Sequence, residues 1–106
     1  MSAPPDLEID VVTEGTTTVV SPHGEIDYGN VDALRTALAD VTQTETNDVV
    51  VDLARVTFID STALSALVGA KQRLAELGRS LTVRKSQPRV KRVLQLAGVN
   101  GYLGES

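Results

Sequence analysis

The chain has 106 residues, 42% of them hydrophobic and 23% charged, with a formal net charge of −4; that size and balance fit one soluble globular domain built on one core. With no cysteine and a single histidine, His23, disulfide frameworks and zinc sites made from Cys and His clusters are excluded, and no metal or cofactor is expected. An acidic balance with two tyrosines, one phenylalanine and no tryptophan argues against nucleic acid and membrane surfaces, and the lack of a spanning apolar run or a basic-then-apolar leader makes a cytoplasmic location the default.

In chain order, "MSAPPD" reads as a frayed, disordered terminus over residues 1–6. "LEIDVV" alternates Leu7, Ile9 and Val11 with acidic residues, the pattern of a half-buried strand. "TEGT" predicts a turn centred on Gly15, and "TTVV" a second strand antiparallel to the first. Pro22 and Gly24 are expected to end that strand, since proline cannot donate to a central ladder. From Asn30 the period changes to that of a helix, with Leu34, Ala37, Leu38 and Val41 on one face, Asn30 as N-cap and Asp32 in the first turn. "DVVVDL" is a continuous β-branched run, as in a strand covered on both faces. A second helix is predicted from about Ser61, with Leu64, Leu67, Val68, Leu74 and Ala75 on its apolar side and Gly78 just past its end. "SLTV" supplies a further strand. "SQPRVKRVLQLAG" then places Pro88 at a helix start, Val90, Val93, Leu94 and Ala97 on a stripe, and Gly98 as terminator.

The order ββαβαβα implies right-handed crossovers, hence an α/β fold: a mixed sheet of about four strands with helices packed on it. Ligands and partners of such sheets gather at the carboxyl ends of parallel strands. Asp60, Ser61 and Thr62 fall on such a loop, at the start of the second helix. Local chemistry favours a plain explanation, because Asp, Ser and Thr oxygens accept bonds from unpaired first-turn amides. A sharper one is a phosphorylated hydroxyl. A phosphoserine there carries about −1.5 to −2 charges, and the helix amino end favours it by ~0.3–1 kcal/mol. The Asp60 carboxylate opposes it by roughly 1 kcal/mol in water. These effects nearly cancel inside the domain, so the consequence is felt by a partner. If the partner loses ~3 kcal/mol in desolvating or repelling the double charge, affinity falls about a hundredfold.

Three segments, "GEID" (Gly24 to Asp27), "VVVDLARVTFIDSTAL" (Val49 to Leu64) and "PRVKRVLQLAGV" (Pro88 to Val99), resemble in order and spacing the bacterial anti-sigma factor antagonists of the STAS family. The likeness runs from Leu7 to about Leu103 and implies one STAS-like domain over residues 1–106. It further implies that the serine after the motif aspartate, here Ser61, is phosphorylated by an anti-sigma factor that is also a serine kinase, and is dephosphorylated by a metal-dependent phosphatase. It places Asp27 beside the acceptor. The unphosphorylated form would bind the anti-sigma factor and so release the sigma factor. Two departures stand out: Ala63 replaces the glycine the family usually carries after the two hydroxyl residues, and many members continue past the "GV" segment with another strand and helix.

The expected partner surface is therefore Asp27, Asp60, Ser61, Thr62 and Ser65. Asp27 fits equally a helix cap and a partner contact, and Thr62 fits a supporting hydroxyl better than a second acceptor. The outward side of the second helix, with Ser65 and Gly69, flanks Ser61 and would allow close approach, whereas Leu64, Leu67 and Val68 read as core. Arg84, Lys85, Arg89, Lys91 and Arg92 read as a solvated helix face before an acidic-partner contact. The rival to a phosphorylation switch is a STAS-type regulatory subunit of a transporter, docking through the same patch without a phosphate cycle. A hydrolase with Ser61 as nucleophile is disfavoured, because His23 is the sole conventional base and no nucleophile-elbow glycines flank Ser61. The expected protein is a kinase substrate, not an enzyme.

Overall fold

The antiparallel hairpin expected around Gly15 is present: β1 (Glu8–Glu14) pairs with β2 (Thr17–Ile26) from Glu8↔His23 to Glu14↔Thr17, with Gly15 at φ +63° in the turn. The computed structural model describes residues 7–44 and 47–105; the disorder expected at residues 1–6 lies outside them. Along the chain there follow α1 (Val31–Thr44), β3 (Asp48–Asp52), β4 (Val56–Ile59), α2 (Ser61–Glu76), β5 (Leu81–Arg84) and α3 (Pro88–Leu96). The fold is a mixed α/β sheet with three helices, as expected, but with five strands where about four were anticipated. The extra one is β4, a four-residue stretch in front of α2.

Two further expectations are corrected on β2. It does not stop at Pro22 or Gly24 but runs ten residues to Ile26. Its first part pairs in parallel with β3, from Thr17↔Asp48 to Val20↔Val51, and its last part with β4, from Gly24↔Val56 to Ile26↔Ile59. Residues 21–23 pair with neither, so the proline sits where that edge needs no donor. Gly24, at φ +99°, sits at the register shift within the β2–β4 pairing, where Gly24 faces Val56 and Glu25 faces Phe58, and donates its amide to Arg55 O at 2.9 Å. β3 and β4 thus follow each other along one edge of β2, separated by a turn in which the Ala54 amide bonds Asp52 Oδ1 at 2.9 Å. β5 completes the sheet beside β3 in the order β1-β2-β3-β5.

Alternate residues of the parallel strands (Val20, Val49, Val51, Leu81 and Val83) are fully buried in one cluster with Leu34 and Leu38 of α1 and Leu67 and Leu74 of α2. Each such side chain stabilises the fold by roughly 1.5–3 kcal/mol on leaving water. The apolar side of α2 differs from the expected one. Leu67 and Leu74 are core, but Leu64 and Val68 are half-buried and Ala75 is exposed; Ala63, Ala66 and Ala70 complete the buried side. Small side chains let this helix lie close to the sheet and to α1. Gly78 ends α2 as anticipated: at φ +72° it lets its own amide reach Ala75 O and that of Arg79 reach Leu74 O, satisfying the last carbonyls. Gly98 does the same for α3.

The basic cluster is not one solvated helix face. Arg84 lies in β5 and bonds Asp52 Oδ2 at 3.1 Å, and Arg89 stacks on Phe58 at 5.3 Å, leaving Lys91 and Arg92 exposed on α3. Among the described residues, no helix is long and apolar enough to cross a membrane.

Candidate functional site at the carboxyl ends of β2 and β4

Ile26 and Ile59 are register partners on adjacent parallel strands, so the chain leaves both at the same edge of the sheet. The loop after β2 and the amino end of α2 are thereby neighbours. Asp60 joins them. Its amide donates to Ile26 O at 3.2 Å. Its Oδ1 caps α2, accepting from the Thr62 and Ala63 amides at 2.9 and 3.1 Å and from the Thr62 hydroxyl at 2.5 Å, while Oδ2 accepts from the Tyr28 amide at 2.9 Å. The Thr62 hydroxyl above all, with the Ala63, Tyr28 and Thr62 amides, holds the Asp60 carboxyl below its ordinary pKa against the opposing effect of burial. The group stays ionised and its lone pairs are largely spent within the domain.

Thr62 is consequently engaged, whereas Ser61, the first residue of α2, is exposed, and among the described residues its hydroxyl has no hydrogen-bond partner. Asp27 is also exposed, and the structure places it in the adjoining loop, where its Oδ1 accepts from the Gly29 amide at 2.9 Å. Asn30 does not cap α1 forwards as expected. Its side chain reaches back, accepting from the Asp27 amide at 2.9 Å and donating to Glu25 O at 2.8 Å, because the tight turn at 27–30 brings those groups nearer. Ser65 is exposed one turn beyond Ser61, and the two border a groove of about 390 Å³ with Leu64, Val68, Gly69 and Val99. His23 bonds Asp10 at 3.0 Å across the β1–β2 pair, and no bond joins it to Ser61 among the described residues.

The family model of the STAS domain matches residues 8–104. The chain belongs to the STAS domain family. An anti-sigma-B factor antagonist of Staphylococcus epidermidis is 31% identical over 98 residues, covering 92% of this chain and 91% of that protein. The crystal structure of an anti-sigma factor antagonist from Mycobacterium paratuberculosis superposes with a TM-score of 0.84 at 28% identity, covering 99% and 89% of the two chains. The phosphorylated form of the Bacillus cell fate determinant SpoIIAA gives a TM-score of 0.69 at 20% identity, covering 94% and 90%; at that identity the likeness is one of fold.

In this STAS domain the position where the family usually has glycine carries Ala63, whose side chain is fully buried. Its methyl group faces the core, not the surface around Ser61. Sequence reasoning missed Tyr28. Its amide is one of the four donors on Asp60, and the residue is 83% exposed at the edge of the site. The signal available was an aromatic residue directly after "GEID" in a chain with few of them.

Proposed function

We propose that this STAS protein is an anti-sigma factor antagonist: unphosphorylated, it binds an anti-sigma factor with serine kinase activity and frees the sigma factor, and phosphorylation of Ser61 ends that binding. The observation that carries this reading is the division of labour at the junction. Asp60 and Thr62 are bound to each other and to backbone, and Ser61 alone presents a free, exposed hydroxyl at a helix amino end. Such an end accepts a phosphoryl group without refolding. The inward methyl of Ala63 leaves the approach to Ser61 open. Asp27, Asp60, Ser61, Thr62 and Ser65 form the partner surface, a metal-dependent serine phosphatase resets the switch, and these partners place the protein in the cytoplasm as a kinase substrate and not a catalyst.

The test is intact-mass measurement after incubation with ATP and the organism's anti-sigma kinases. A gain of one phosphate on the wild type and none on Ser61→Ala is expected. A phosphate retained by Ser61→Ala, at Thr62 for instance, overturns the assignment, and a wild type that none of these kinases modifies or binds would favour a STAS-type transporter regulator. Ser61→Asp should weaken partner binding by about tenfold or more and leave unfolding unchanged within about 0.5 kcal/mol.

A further inference from the structure

We infer that Tyr28 is the anchor by which the anti-sigma kinase grips this protein beside Ser61; the inference rests on the function proposed above. A single exposed apolar residue is ordinary on a protein surface. Leu77 and Leu96 are exposed too, at 59% and 75%, and neither is bonded to the Ser61 junction. Tyr28 is set apart by how the fold holds its backbone while leaving the residue 83% exposed to solvent.

That hold is threefold. The Tyr28 amide is fixed to Asp60 Oδ2, the next amide, of Gly29, to Asp27 Oδ1, and the Asp27 amide to Asn30 Oδ1, each at 2.9 Å. The ring is thus carried on a braced loop, and a partner that takes it immobilises little more than two side-chain torsions. Rigid aromatic residues presented this way are the usual carriers of interface energy. Beside the ring lies a depression of about 430 Å³ bordered by Val31, Arg35 and Thr62, room for the partner side chains that would enclose the phenol. Most telling is the shared tether. The same carboxylate that holds Tyr28 caps the helix that begins with Ser61. A kinase seated on the ring therefore meets Ser61 within the same braced junction, so the ring contributes to binding of the substrate and not to the transfer step itself.

The experiment is steady-state phosphorylation of the full chain by its anti-sigma kinase, comparing wild type, Tyr28→Ala and Tyr28→Phe, with thermal unfolding of each. Tyr28→Ala should raise KM for this protein at least about tenfold with kcat within about twofold. Tyr28→Phe, which keeps the ring, should recover most of the loss. Tm should move by less than about 3 °C, because the ring is exposed. A wild type that is phosphorylated with Tyr28→Ala at the same KM overturns the anchor and leaves the proposed function standing. So does a loss confined to kcat, or one that Tyr28→Phe shares in full. A wild type that no anti-sigma kinase binds or modifies overturns the function and the anchor with it.

Discussion

Asp60 does two structural jobs with one carboxylate, and a neutral isostere separates them. Asp60→Asn keeps a carbonyl oxygen for the α2 amides but turns an NH2 towards the Tyr28 amide, which then has no acceptor on that side. Asp60→Ala loses the cap and the tertiary bond together, and should cost about 2 kcal/mol in urea denaturation, against about 1 kcal/mol for Asp60→Asn. The pH dependence follows from the direction of the shift. The folded-state pKa of Asp60 is depressed, so its contribution is complete above the carboxyl pKa of the unfolded chain and disappears as pH falls through the lower, folded value. Asp52 acts in the same sense. Burial raises its pKa, but the Ala54 amide and the Arg84 guanidinium outweigh that and hold it low. Stability should therefore fall as pH drops below about 4, and less steeply in Asp60→Asn. Equal slopes for the two proteins would mean that the Asp60 bonds are not formed in solution.

The helix α2 tests how far local rules carry. Its start at Ser61, its Asp60 cap and its end before Gly78 were legible in the sequence because capping is settled by neighbours a few residues apart. Gly15, Gly98 and the apolar stripe of α1 were legible for the same reason. The extension of β2 through Pro22 and the four-residue β4 were not, because a strand that short is defined by the partner it pairs with. With them went the physical basis for bringing Asp27 near Asp60; that neighbourhood came from family resemblance and needed the Ile26↔Ile59 register to explain it. Gly69 within α2 and Gly78 just past its end should answer substitution in opposite ways. A Cβ at Gly69 meets nothing nearer than the tip of the Arg73 side chain at 3.4 Å, so Gly69→Ala should stabilise the protein by about 0.5–1 kcal/mol. A Cβ at Gly78 is unobstructed too, but its φ of +72° makes Gly78→Ala destabilising by about 1–2 kcal/mol. Urea midpoints at constant m value measure both.

At the scale of the molecule, the far end of α2 is closed by a residue the sequence did not single out. Arg79 follows Gly78, and its side chain donates to four carbonyl contacts: Val41 O at 3.2 Å, Thr42 O at 2.9 Å, and Asn47 O from two nitrogens at 2.9 and 2.7 Å. Val41 and Thr42 lie in the last turn of α1, which has no basic residue of its own there. The cation that complements that helix end thus comes from another element, and it ties α1, the start of β3 and the end of α2 together. No local pattern could reveal this, since the partners stand 32 to 38 residues away along the chain. Arg79→Ala should cost about 2–3 kcal/mol, and Arg79→Lys should recover less than half of it, because an ammonium supplies the charge but not the planar fork. The 16 residues of α2 put this clamp ~24 Å from Ser61. Below its melting temperature, then, Arg79→Ala should be phosphorylated with the KM and kcat of the wild type, although it unfolds at a lower urea concentration. A changed KM in the folded variant would mean that the clamp helps set the position of the phosphorylated junction, so that stability and switching could not be altered independently.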